Sequence, residues 1–349
     1  MRVLIMGGTL FLGRHIVEAA LARGHEVTLF NRGLRNPTLF PAAEKLTGDR
    51  NTNLAALAGR RFDAVIDPSA YGPEQIDLLL SALGEPPPHY TFISTISVYG
   101  TFAPNRRYDE STDVLAGHEG YGALKARAEE ALQAAMPGRA AVVRPGLIVG
   151  PHDPTGRFTY WPRRVAAGGR ILAPGRRERP VQFIDARDLA EWSVRLAEDR
   201  VAGVYHAVGP QTSLTMGQFL DECVRIAGND SELVWIPDDE VRAAGIEAWT
   251  ELPLWIAEDD AEAGGIFAAD NRRAVGQGLT FRPVAQTIGD TLQWCWEMGW
   301  EMGDAADSPL RVQTLCAAKE RETLACLLPL KRACSRAATP LSPWINPSP

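Results

Sequence analysis

The chain has few cysteines, no excess of basic charge and no long hydrophobic run, and each shortage excludes a class of protein. Its five cysteines (Cys223, Cys295, Cys316, Cys326 and Cys334) are odd in number and form no CxxC pair. A disulfide framework and a zinc site are therefore poor fits, and a reducing cytoplasm is the expected compartment. No uninterrupted apolar stretch reaches transmembrane length, so no membrane partner is expected. Residues 1–12 carry one basic side chain, a short apolar run and no small-residue cleavage site, which reads as the start of a fold rather than a secretion signal. With 36 basic against 43 acidic residues the net charge is −7, which argues against nucleic acid or an anionic membrane as the main partner. There is no internal repeat. What remains is a 349-residue chain, 45% apolar and 23% charged, long enough for one large domain or two coupled ones.

The apolar run Arg2-Val-Leu-Ile-Met6 reads as a buried strand and ends at Gly7-Gly-Thr-Leu-Phe-Leu-Gly13. A helical stripe of Ile16, Val17, Ala20 and Leu21 follows, then a second strand at 26–30. Strand, glycine turn, helix and strand form the dinucleotide-binding unit, with pyrophosphate on the helix N-terminus. Further strands are expected at 45–47, 62–67, 89–94 and 140–144. Helices are expected at 12–23, 52–58, 73–84 and 117–136. This alternation predicts an α/β protein, a doubly wound parallel sheet covered on both faces. Beyond residue 150 the pattern loosens: a helical segment within 155–169, a strand at 204–208, a helix at 214–226, a strand at 232–236 and a helix at 288–300. Trp294, Trp296 and Trp300 are expected to pack, and 238–267 is left without an assignment.

Tyr121 and Lys125 lie four apart, which places a phenol and an ammonium on one helix face. A nearby cation favours phenolate, so Tyr121 is expected to move a proton near neutral pH with Lys125 as its stabiliser. Thr95, in Phe92-Ile-Ser-Thr-Ile-Ser-Val-Tyr-Gly100, supplies a hydroxyl to hold the oxygen whose proton moves. Beside a hydride carrier, these three interconvert an alcohol and a ketone.

The glycine turn, Thr95 with Val98-Tyr-Gly100, Tyr121-x-x-x-Lys125, Arg144-Pro-Gly146 with Val149-Gly-Pro151, and Phe183-Ile-Asp-x-x-Asp-Leu-Ala190 occur in one order. Together they make residues 1–300 resemble an extended short-chain dehydrogenase/reductase of the NAD-dependent epimerase/dehydratase family. The resemblance implies a Rossmann-like domain over 1–150 and a smaller C-terminal substrate-binding lobe over 151–303, with about 182–208 returning to the large domain. Residues 304–349 form an extension with no family counterpart past about 328, and its last ten residues are expected to be disordered or laid on the surface.

The same resemblance assigns residues to a cofactor. Gly7, Thr9, Leu10, Phe11, Leu12 and Gly13 would cradle pyrophosphate, although Leu10 stands where the middle glycine is usual. NAD enzymes place an acid after the second strand. Here Asn31 carries no charge to repel a 2′-phosphate, and Arg32, with Arg35, can pair with one, so NADP(H) is preferred and NAD(H) possible. Asp49 and Arg50 match the adenine-contact position, Asp49 being equally able to cap a following helix. Pro68, Ser69 and Ala70 would line the cofactor's middle, Ile93 and Ser94 would pass beneath the nicotinamide ribose, Lys125 would bind that ribose, and Pro145 and Gly146 would pack on nicotinamide. Ser97, His152 and Gln182 are the candidates to face substrate.

Ile96 and Ser97 occupy the positions where sugar-nucleotide dehydratases carry acids, which argues against water elimination. Val181 stands where many sugar-nucleotide enzymes hold an arginine on diphosphate. Arg176, Arg177 and Arg179 read as a solvated loop face, and Asp188 as a helix cap. Phe158, Tyr160 and Trp161 read as packed core. The reading is an NADP(H)-dependent oxidoreductase acting on a small organic substrate. A sugar-nucleotide epimerase with transient oxidation is the alternative. A non-catalytic nucleotide- or RNA-binding protein, like the plant plastid relatives that share the glycine turn, is a third. A homodimer is an expectation by analogy.

Overall fold

A computed structural model describes residues 1–115, 117, 119–299 and 311–337. Trp300 and the last ten residues, on which two expectations fell, lie outside that set. Seven parallel strands form the large sheet, in the order Gly203–Ala207, Ala140–Pro145, His89–Ile93, Ala64–Asp67, Arg2–Met6, Glu26–Asn31, Glu44–Thr47. Val3, Leu4, Ile5, Val65 and Ile66 are fully buried. Their strands are covered on both faces, which is why they read as continuous apolar runs rather than alternating ones. The helices Phe11–Ala22 and Ala186–Glu198 pack on one face, and Pro73–Leu83 and Tyr121–Ala135 on the other. This is the Rossmann-like doubly wound arrangement. The winding reverses between Arg2–Met6 and Ala64–Asp67, and that reversal opens a crevice at the strands' carboxyl ends.

A second lobe sits over that edge. One small sheet orders Gly209–Thr215, Pro180–Asp185 and Leu147–Val149, and another pairs Glu232–Ile236 with Arg170–Pro174. Phe158, Tyr160, Trp161, Phe183, Phe219 and Trp255 fill its core at 0–4% exposure, as packed core rather than as a cleft wall. The chain leaves this lobe at Asp185, runs through the helix and strand that complete the large unit, and re-enters it at Gly209. Of the 304–349 extension, the described stretch from 311 docks on the lobe. Leu315 and Leu324 join its core, and Glu320 pairs with Arg164 at 2.6 Å.

Several local expectations are corrected. The helix bearing Tyr121 starts at that residue, because Gly120 holds φ at 98° and breaks the approach. The helix expected over 52–58 shrinks to the single turn Ala55–Leu57. Asp185, not Asp188, caps Ala186–Glu198 by accepting from the Arg187 amide, whereas Asp188 binds Arg282 at 2.6 Å. Arg176 and Arg177 reach Glu258 and Asp221, but Arg179 is buried at 2% exposure and donates to the Ile256 carbonyl. On Val284–Glu297, Trp294 packs edge-on to His152, while Trp296, two residues on, faces out at 61% exposure.

Candidate functional site

The glycine turn comes first because it sets how closely a ligand can approach the backbone. Gly7 and Gly8 hold φ near 101° and 93°, open to glycine and strained for other residues. A Cβ on Gly13 would stand 2.9 Å from the Gly8 nitrogen, so the first helical turn can press onto the loop only without a side chain there. Leu10 precedes that helix without a side-chain cap, and the first turn holds no acid. The early amides of Phe11–Ala22 therefore meet no competing protein acceptor, at the positive end of the helix. An anion such as a dinucleotide's diphosphate fits this cradle.

The turn opens into a cleft of about 700 Å³. Of the residues singled out from sequence, Gly7, Thr9, Leu10, Phe11, Leu12, Gly13, Pro68, Ser69, Ile93, Ser94, Thr95, Ser97, Tyr121, Lys125, Pro145, Gly146 and Gln182 line it. Gly122 explains how two of them meet. A Cβ at that position would lie 2.0 Å from the Ser97 carbonyl oxygen, so only glycine lets the Tyr121 helix settle onto the Thr95 segment. The Thr95 hydroxyl donates to Ser97 Oγ at 3.2 Å and accepts from the Ser97 amide at 3.1 Å.

Tyr121 keeps 48% of its surface open to the cleft, yet its hydroxyl lies deep enough that burial raises its pKa. The neighbouring Tyr71 adds to the rise, and Thr95 and Arg157 oppose it. Lys125 is 3% exposed and donates to the Ile93 carbonyl at 2.7 Å, with Phe92 and Tyr71 rings 4.7 and 5.5 Å from its ammonium. Burial pulls its pKa from 10.5 down to about 8. The groups that favour phenolate here are Thr95 and Arg157.

Other expected contacts lie outside the cleft lining. Asn31 spends both ends of its amide on the glycine turn's surroundings, donating to the Gly7 carbonyl and accepting from the Gly33 amide. Arg50 forks onto buried Asp67 at 2.9 Å and also reaches Ser69, an internal ion pair that holds Asp67 down to about 2 against its burial. Ala70 is fully buried beneath it. Asp49 closes its own turn by accepting from the Asn51 amide and caps no helix. Arg32 and Arg35 are exposed and pair with no described residue. His152 faces a separate pocket of about 220 Å³ on the far side of Leu10 and Phe11, wedged by His15, Arg14 and Trp294 because its φ of 69° turns it away. Gln182 does line the cleft, but its amide is committed to both backbone groups of Ala269.

Sequence reasoning missed Tyr71, Arg157, Trp249, Ile266 and Phe267, which complete the walls. It also missed the polar support under the cleft. Glu129, one turn past Lys125, accepts from Ser94 and pairs with Arg144 at 2.6 Å, and Arg144 donates to Tyr99, which meets His206. Spacing could have found Glu129, since 121, 125 and 129 share one helix face.

A model of the NAD dependent epimerase/dehydratase family matches residues 3–208. The chain is 28% identical over 243 residues to the epimerase family protein SDR39U1 of Bos taurus, across 63% of this chain and 78% of that one. It is 27% identical over 286 residues to a dTDP-6-deoxy-L-talose 4-dehydrogenase (NAD(P)(+)) of Kitasatospora kifunensis, across 74% and 89%. The solved structure of human SDR39U1 isoform 2 with NADPH superposes with a TM-score of 0.59 at 22% identity, over 84% of this chain and 99% of that one, a likeness of fold.

Proposed function

Because the chain belongs to the NAD dependent epimerase/dehydratase family, and is an NAD(P)-dependent oxidoreductase or epimerase, we propose that it reduces a carbonyl of a small organic molecule, or oxidises the matching alcohol, with NADP(H). One observation carries the reading. Thr95, Tyr121 and Lys125 converge with an uncapped helix N-terminus in a single cleft whose described lining contains no acid.

The cofactor, when bound, supplies or accepts the hydride. The first amides of Phe11–Ala22 would hold its diphosphate, Lys125 its ribose hydroxyls, and Pro145 and Gly146 the nicotinamide face. Arg32, exposed and unpaired after the second strand, would meet the 2′-phosphate; the related human protein was solved with NADPH. Thr95 and Tyr121 would hold the substrate oxygen. Burial moves the Tyr121 phenol's pKa up from its ordinary value, and a protonated phenol is the form that can give a proton to a carbonyl oxygen. Ile96 and Ser97 offer no acid for water elimination.

NADPH absorbance against a panel of carbonyl compounds tests this. Tyr121→Phe should lower turnover by about a hundredfold or more; a variant with near-full rate removes Tyr121 from the mechanism. Turnover without net NADPH consumption would favour epimerisation by the same residues.

A further inference from the structure

We propose that the substrate carries a carboxylate or phosphate, and that Arg157 binds this anion beside the reacting carbonyl. The inference rests on the reading above and deepens it.

Arg157 lines the cleft that Thr95 and Tyr121 line. Its side chain has no hydrogen bond and no ion pair with any described residue, and its Nε is a buried nitrogen without a partner. The residue as a whole is half-buried, so the unmet cost falls on the buried Nε, whose desolvation no acceptor offsets. The nearest acid in sequence, buried Asp153, gives its carboxylate to Thr155: it accepts from the Thr155 amide at 2.8 Å and the Thr155 hydroxyl at 3.1 Å. Burial raises Asp153 to about 6 and the Arg157 charge opposes that rise, but no hydrogen bond or ion pair joins the two.

The rest of the lining agrees. Although the chain is acidic overall, with a net charge of −7, the described residues around the cleft include no Asp or Glu and two cations. Lys125 is already bound to the Ile93 carbonyl, which leaves Arg157 without a protein partner. Arg157 shares the cleft with Tyr121 and favours its phenolate by charge. A cleft that gathers positive field without acids raises the local concentration of anions.

The arginine supply also limits the size of the anionic part. A substrate diphosphate would need donors besides the helix N-terminus assigned to the cofactor, and the other arginines are engaged elsewhere. Val181 is buried and apolar where a clamping arginine would stand, Arg176 and Arg177 are paired to Glu258 and Asp221, and Arg179 is sealed against the Ile256 carbonyl. In the same cleft, Trp249, Ile266 and Phe267 offer apolar surface. The substrate class is therefore a compact carbonyl compound with one anionic group and an apolar body, and its guanidinium contact is a fork that suits a carboxylate or phosphate.

The test compares pairs that differ only in charge: 4-oxopentanoate with its methyl ester, and glyceraldehyde 3-phosphate with glyceraldehyde. Each is measured with saturating NADPH on the full chain, on Arg157→Gln and Arg157→Lys, with NADPH affinity followed by tryptophan fluorescence. We expect the unaltered protein to prefer the charged member of at least one pair. Arg157→Gln should erase that preference by roughly tenfold to a hundredfold, through KM of the charged member, while any change in kcat through the Arg157 charge on Tyr121 falls on both members alike and leaves their ratio untouched. NADPH affinity should not change, and the melting temperature should hold or rise, since no internal bond is lost. Arg157→Lys should rescue phosphate better than carboxylate. The proposal is overturned if Arg157→Gln leaves the charged-to-neutral ratio intact, if it weakens NADPH instead, which would assign the cation to the cofactor's diphosphate, or if only neutral members are turned over. Tyr121→Phe separates the two claims. Loss of all turnover there, with an unchanged charge ratio in Arg157→Gln, sinks the anion site and spares the oxidoreductase. If no member of either pair binds or reacts at millimolar concentration, both fail.

Discussion

Replacing Lys125 with methionine should abolish activity and stabilise the fold, and the gain should fade as pH rises. Lys125 is 3% exposed and its ammonium is met by one carbonyl, Ile93 at 2.7 Å, between two aromatic rings. Burial lowers its pKa from 10.5 to about 8. That drop of about 2.5 units, at about 1.36 kcal/mol each, makes the folded charge costlier than the unfolded one by about 3 kcal/mol at neutral pH. Losing the hydrogen bond to Ile93 takes back about 1–2 kcal/mol, so the variant should gain about 1–2 kcal/mol at pH 7. The sign of the pH term follows from proton binding. Between about pH 8 and 10.5 the unfolded chain holds the Lys125 proton and the folded chain releases it, so stability of the unaltered protein climbs across that window. Below about pH 8 the full cost is present. Urea unfolding followed by tryptophan fluorescence at several pH values measures the difference between the two proteins. A variant that is less stable at pH 7, by an amount independent of pH, would refute the account and show that Lys125 is held by interactions stronger than its desolvation.

Glu129→Ala should cost about 3–5 kcal/mol in the same assay, because it strands a buried Arg144 charge. The double variant Glu129→Leu with Arg144→Met should recover most of that loss, and a double as unstable as the single would show that the pair is not the unit that matters. Arg32→Ser should weaken NADPH by about tenfold or more and leave NADH unchanged; equal effects on both cofactors would place Arg32 away from the 2′-phosphate.

Most of the large sheet was legible from its sequence. Strands buried on both faces leave uninterrupted apolar runs, Gly7 and Thr95 follow the ends of two of them, and Tyr121 and Lys125 share a helix face, so local rules apply to each. What the sequence left unread has a common physical origin in contacts that spacing does not encode. Asn31 and Arg50 look like ligands until the Gly7 carbonyl and Asp67 arrive from other strands and take up their hydrogen bonds. His152 follows a strand end as a substrate residue should, but a positive φ turns it to the other side of the glycine turn. The strands Leu147–Val149, Arg170–Pro174, Pro180–Asp185 and Gly209–Thr215 escaped notice because they are short and broken by proline, glycine and arginine.

The cleft's specificity lies where that legibility is lowest. Trp249, Ile266 and Phe267 come from a stretch whose composition shows no period, and its position is fixed by distant backbone. The Phe102 amide donates to the Glu262 carbonyl at 2.6 Å, the Gly265 amide returns to the Phe102 carbonyl at 2.7 Å, and Tyr108 donates its hydroxyl to the Ile266 carbonyl at 2.7 Å. A Cβ on Gly265 would stand 2.2 Å from the Ala103 oxygen, so this closure depends on a glycine that no motif marks. The segment after Thr95 and Tyr99 thus ties the apolar wall to the proton-transfer side of the cleft. Thr95, Tyr121 and Lys125 can be read from spacing because a strand end and one helix face place them. The wall and Arg157 cannot, because they reach the cleft from loops that carry no period.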